Sequence, residues 1–163
     1  MMENPGFIKA SGVYVLKLLG LFPFLALRRS GALKEDGWFK SVRAGVPIDR
    51  NGRPIPWITY AAIDFLEKRI DGAMSVFEYG CGNSTLWWAG RVGNVVSCEH
   101  DRAWYQRMRA LIPANAELHQ IDLEPGGRYA GKIAEYHQAF DIIVIDGRDR
   151  VNCGKNCLAA LKN

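Results

Sequence analysis

Beyond residue 74 the apolar positions of this chain alternate between short continuous runs and stretches with helical spacing. The runs at 74–79, 95–98, 116–121 and 140–145 have the length of strands, and Phe140-Asp141-Ile142-Ile143-Val144-Ile145 has the apolar content of a buried parallel strand. Helices are expected between them: one over 84–91, one from Asp101 to Leu111 stopped ahead of Pro113, a short one near 131–138 after the Pro125-Gly126-Gly127 loop, and one from Val151 to the end. Another precedes the first strand, over 58–70, where Ile58, Ala61, Ala62, Phe65, Leu66 and Ile70 follow the helical period and Asp71-Gly72 closes it. Strands alternating with helices predict an α/β unit, a parallel sheet of about four strands with helices on both faces.

The first third has another texture. Residues 13–27, VYVLKLLGLFPFLAL, are apolar apart from Lys17 and run into Arg28-Arg29. As a single helix they would span about 22 Å, short of the roughly 30 Å hydrocarbon core of a bilayer, and Pro23 would kink them. Three placements follow: packing on the domain as an N-terminal helix, lying on a membrane surface with Arg28 and Arg29 at the headgroups, or acting as an anchor. Residues 30–56 read as a turn-rich connector, with Gly31, Asp36-Gly37, Gly45, Pro47, Asn51-Gly52, Pro54 and Pro56, and with Trp38 and Phe39 as its anchors. The chain therefore divides into an apolar helix with its connector, 1–54, and an α/β part, 55–163. No internal repeat is visible.

Composition narrows the function classes. With 163 residues, 48% hydrophobic and 23% charged, the chain can build a real core and does not read as disordered. Its net charge of +4 resides wholly in residues 1–50, which hold eight Lys/Arg against four Asp/Glu, while the remainder holds thirteen of each. A basic stripe over the folded part is missing, which argues against nucleic acid as a partner. The four cysteines, Cys81, Cys98, Cys153 and Cys157, show no disulfide framework, and a cytoplasmic protein with reduced thiols is expected. Cys153 and Cys157 stand four apart on one helical face, but no second pair completes a metal site, so they read as small buried side chains.

The chemistry gathers at the strand ends, where ligands bind in open parallel sheets. Each expected strand ends in an acid: Glu78, Glu99, Asp122 and Asp146. After the first, Gly80-Cys81-Gly82 lets the backbone approach a ligand, and Asn83, Ser84 or Thr85 can cap the next helix and present its N-terminus to an anion. Glu99 lies 17 residues beyond Gly82, near the interval at which an acid meets ribose hydroxyls. His100 beside it reads as a loop or capping residue. A dinucleotide is the rival ligand. However, Thr85 stands where its third glycine belongs, and Glu78 would put a negative charge beside a pyrophosphate. The same charge favours a sulfonium amino acid. The phosphate loop ending in Gly-Lys-Ser/Thr is absent from the sequence.

EYGCGNST at 78–85, VVSCEHD at 95–101 and FDIIVIDGRDR at 140–150 together resemble the class I S-adenosylmethionine-dependent methyltransferases. The resemblance covers about residues 55–163 and implies a Rossmann-like fold. It also implies a cofactor site in which Glu78, Gly80, Cys81, Gly82, Asn83 and Ser84 line the methionine side, Glu99 and His100 the ribose, and Asp122 and Leu123 the adenine. Asp146 would stand by the methyl-transfer centre as a base. Leu86-Trp87-Trp88 in the first helix is similar to small-molecule or sugar-directed members. The family's sheet has seven strands, and this chain stops after the helix that follows the fourth. The expectation is a piece of a longer protein, or a domain that needs a partner, with an open apolar sheet edge through which copies can associate.

The sequence reading is thus an S-adenosylmethionine-dependent methyltransferase acting on a small-molecule oxygen acceptor. A magnesium-assisted variant would use Asp146 together with later acids, and the resemblance leaves the metal open. Arg148 and Arg150 read either as anion holders or as surface ion-pair partners, and Pro56, Trp57 and Tyr60 either as a substrate wall or as core. Two alternatives stand beside the enzyme: a nicotinamide-dependent oxidoreductase domain, and a non-catalytic module that uses residues 13–29 on a membrane or partner.

Overall fold

A computed structural model describes residues 13–163, which fall into two compact units that divide between Arg53 and Pro54. In the first unit the apolar segment is not one kinked helix. Residues 13–18 are helical, Gly20 at φ 67° turns the chain, and α1 (Phe22–Arg29) follows with Pro23 in its first turn. The break falls at glycine rather than proline, because proline fits the first turn of a helix and glycine alone takes a left-handed turn without cost. The expected connector also contains two short helices, α2 (Ala32–Asp36) and α3 (Trp38–Ala44), separated by Gly37. A Cβ at Gly37 would collide with the backbone of Asp49 and Arg50, so only glycine allows that approach. Trp38 and Phe39 stack edge to face at 5.1 Å.

The second unit begins with α4 (Tyr60–Glu67), whose N-cap Thr59 accepts from the Ala62 N–H at 3.3 Å. Then come β1 (Ser75–Tyr79), α5 (Asn83–Ala89), β2 (Asn94–Glu99), α6 (Arg102–Arg109), β3 (Ala116–Gln120), α7 (Arg128–Gly131), β4 (Ile142–Ile145) and α8 (Arg150–Asn156). All pairings are parallel, in the order β3-β2-β1-β4. This is an α/β Rossmann-like sheet. Because side chains alternate across a strand, Phe77 and Tyr79 face one layer, with Tyr129, Ile133, Phe140 and Cys153, while Val76 packs in the other, with Ile63, Trp87 and Trp88. Trp87 and Trp88 are thus core residues.

Three local expectations are revised. The short helix expected over 131–138 starts earlier, as α7, and tightens into a 3-10 turn over Lys132–Glu135. The last helix does not run to the end but stops at Asn156. After a 3-10 turn the chain extends so that Phe140 N–H donates to the Ala160 carbonyl at 3.0 Å and Lys162 N–H donates to the Phe140 carbonyl at 2.9 Å. The terminal residues thereby satisfy the polar groups at the start of the β4 edge. Finally, β4 is half-buried rather than fully buried, since among the described residues β1 is the one strand that flanks it.

Candidate functional site

Parallel register puts the carboxyl ends of β1, β2 and β4 side by side. Glu78 pairs across with Ser97 on β2 and Val144 on β4. Beyond β1 the chain turns at Gly80, φ 88°, whose N–H donates to the Cys98 carbonyl at 2.8 Å. A Cβ on Gly80 would press on Gly147 after β4, at 3.2 Å, and one on Gly147 would overlap the Tyr129 hydroxyl and lie 3.0 Å from Gly80 N. The two glycines therefore stand back to back, and their lack of side chains lets the two loops meet.

Above them lies a cleft of about 310 Å³ lined by Glu78, Gly80, Cys81, Ser84, Glu99, His100 and Asp146, with Gly147, Arg148 and Arg150 at its other wall. The structure thus gathers seven of the sequence-expected residues. Gly82 and Asn83 lie behind the lining, in the turn and at the start of α5. Asp122 and Leu123 are exposed beyond β3 and do not line the cleft, and Asp122 is instead held by Arg102 at 3.1 Å and Gln120 at 3.0 Å. Those hydrogen bonds and the guanidinium charge keep its carboxyl below the usual range.

Glu78 is fully buried, and burial pushes its pKa up to about 7 even though the hydroxyls of Ser84, Thr85 and Ser97 all bond it. Thr85 donates to Glu78 Oε2 at 2.5 Å and accepts from Gly82 N–H at 3.0 Å, forming half of a capping box with a carboxyl behind it. Sequence reading gave Thr85 a capping role but not this second bond, and it missed Ser97, 3.2 Å from the same oxygen. The available signal was a polar residue inside an otherwise apolar strand.

Glu99 is also buried. Its Oε1 accepts from the His100 and Asp101 N–H groups, both at 2.8 Å, and its Oε2 accepts from Cys81 N–H at 3.2 Å. This carboxylate therefore ties the β1 loop to the β2 loop. Trp104 on α6 adds a bond from its indole N–H to the Cys81 carbonyl at 2.7 Å. The Cys81 thiol is pushed up by burial and by the neighbouring carboxylates, so it stays protonated. Asp146 is exposed and paired with Arg150 at 2.7 Å, which assigns Arg150 to an ion pair. Pro56 is buried, Tyr60 packs on the core and Trp57 is exposed. Cys153 and Cys157 are buried free thiols, and no group of metal-ligating side chains occurs among the described residues.

No protein-family model and no curated protein matches the chain. Solved structures do. A precorrin 8w decarboxylase of Methanobacterium thermoautotrophicum superposes with a TM-score of 0.51 at 16% identity, over 73% of this chain and 65% of its own. The fold the two share is an α/β Rossmann-like one, a parallel sheet flanked by helices. A methyltransferase-like protein of Silicibacter pomeroyi reaches a TM-score of 0.49 at 26% identity, over 64% of this chain and 66% of its own. The YcgJ protein of Bacillus subtilis reaches 0.48 at 13% identity, over 64% and 47%. The chain spans between about half and two thirds of the length of these structures. Within this Rossmann-like fold, the cleft sits where such sheets place ligands, at the carboxyl ends of the strands.

Proposed function

We propose that the cleft binds S-adenosylmethionine and that the protein is a methyltransferase acting on a small-molecule oxygen acceptor. The observation that carries this reading is Glu78, a carboxyl buried behind the cleft with its pKa raised to about 7. A carboxyl in that condition gains most from a cationic ligand, because a positive charge beside it offsets the cost of ionising it. S-adenosylmethionine brings an ammonium and a sulfonium and no phosphate. A pyrophosphate would meet Glu78 and Glu99 as like charges. The abutting Gly80 and Gly147 suit the same ligand, since they leave the cleft floor free of side chains.

Glu78, Gly80, Cys81 and Ser84 would hold the methionine part, with Gly82 and Asn83 shaping the turn behind them. Glu99 and His100 would face the ribose, and Asp122 and Leu123 would border the adenine from beyond β3. The bound cofactor supplies an electrophilic methyl group. The protein's part is alignment, which dominates the catalysis of an in-line transfer. Asp146 would take the proton of an acceptor hydroxyl, its carboxylate oriented through the Arg150 contact.

Isothermal titration of the folded protein tests the reading. S-adenosylmethionine and S-adenosylhomocysteine should bind and NADH should not. Binding of NADH alone, or of none of the three, would refute it.

A further inference from the structure

The first unit carries an apolar surface that none of its described residues covers. Tyr14, Val15, Leu18, Leu19, Phe24 and Leu27 are all exposed, and no residue of α1 is buried. At 100° per residue, Phe22, Phe24, Leu25 and Leu27 point to different sides of α1, and its two charges, Arg28 and Arg29, stand together in the last turn. Large exposed apolar side chains beside a basic turn suit the boundary between headgroups and acyl chains.

Two further observations bear on the occupant. The backbone is closed on itself at the turn: Leu21 N–H donates to the Leu16 carbonyl at 2.9 Å and Gly20 N–H donates to the Lys17 carbonyl at 3.1 Å, around the left-handed Gly20. This is the Schellman arrangement, and it uses carbonyls that a helix end otherwise gives to water. Pro23 removes a donor from the first turn of α1, where it would have no partner. Both features suit backbone entering an apolar medium. The charge is also of one sign. Residues 13–29 hold Lys17, Arg28 and Arg29 and no Asp or Glu, whereas Lys34 beyond them is followed by Glu35 and Asp36. The Lys17 ammonium lies 5.2 Å from the centre of the Phe22 ring, so the cation and the apolar surface share one face. A second copy of this segment would bring like charges together, whereas anionic headgroups complement them.

We propose that residues 13–29 form a short helical hairpin that docks the protein on an anionic membrane surface. The hairpin lies in the headgroup–acyl boundary and does not cross the bilayer. With eight residues, α1 is about 12 Å long, and no helix among the described residues is long and apolar enough to cross a membrane. The inference does not rest on the methyltransferase reading.

The test is flotation of the full chain, without cofactor, on phosphatidylcholine vesicles with and without phosphatidylserine. The expected result is binding to the anionic vesicles that weakens as salt rises. Replacing Arg28 and Arg29 together by Gln should weaken it roughly 25-fold, about fivefold per charge. Replacing Leu18 and Phe24 together by Ser should abolish it. Both double variants should keep the wild-type thermal transition, since these side chains are exposed. Failure to float on anionic vesicles, equal binding to both vesicle types, or binding unchanged in either variant would overturn the proposal. So would a sedimentation result in which the wild type is a dimer, the Leu18/Phe24 variant a monomer, and neither floats. Cofactor titration of the same samples reports separately on the methyltransferase reading.

Discussion

Glu78→Gln should stabilise the free protein at pH 8 while weakening its hold on the cofactor. The carboxyl has an ordinary value of 4.5 and is raised to about 7 by full burial. The folded state therefore keeps the proton over a range in which the unfolded chain has lost it. The stability that comes from this proton is fully present below about pH 4.5 and is lost as pH rises through 7. A gap of some 2.5 pH units at 1.36 kcal/mol each makes the loss about 3 kcal/mol at pH 8. Glutamine keeps the size of the side chain, can still accept from Thr85 and Ser97, and never has to ionise. Wild type and variant should unfold alike near pH 5 and diverge by roughly 3 kcal/mol at pH 8, which is on the order of 10 °C in Tm for a unit of this size. Urea or thermal melts at pH 5, 6, 7 and 8 give the difference curve, in which every other titrating group cancels. Affinity for S-adenosylmethionine should run the opposite way in the wild type, tightening up to tenfold per pH unit toward pH 7 and levelling above it. In the variant it should be weaker and flat. Parallel stability curves for the two proteins would refute the buried-proton account. A wild-type affinity indifferent to pH would remove Glu78 from the recognition of a cationic ligand.

Glu99→Ala should cost both cofactor affinity and fold, about 2–3 kcal/mol, because the N–H groups of Cys81, His100 and Asp101 lose their acceptor. Glu99→Gln, measured by the same melts and titrations, should restore most of the stability and little of the affinity. Gly147→Ala should destabilise by about 1–3 kcal/mol in a denaturant titration, since the new methyl overlaps the Tyr129 hydroxyl and crowds Gly80. A wild-type melt would show that the two loops do not abut as described. Asp122→Asn should leave thermal stability unchanged, because its partners Arg102 and Gln120 are engaged at the surface. Cofactor affinity should fall in the same variant, and an unchanged affinity would remove Asp122 from the adenine contact.

The layer pattern was legible along the chain because burial has a period. Alternation across strands and the 3.6-residue repeat are local consequences of backbone geometry, and they mark the strands and the helices that cover them. The strand-end acids were legible for the same reason: a strand's end fixes where its last side chain sits, and the cleft gathers Glu78, Glu99 and Asp146. What lay beyond the sequence depends on which strand lies beside which. Ser97 bonds Glu78 because β1 and β2 pair in that register, and Gly147 matters because the β4 loop meets Gly80 and Tyr129. Two carboxylic acids near neighbouring strand ends likewise took different roles: Glu78, inside β1, is buried and raised, while Asp146, just beyond β4, is exposed and paired with Arg150. Sequence alone determined which residues stand at strand ends. Tertiary structure decided which of them water still reaches, because desolvation depends on neighbours distant in the chain.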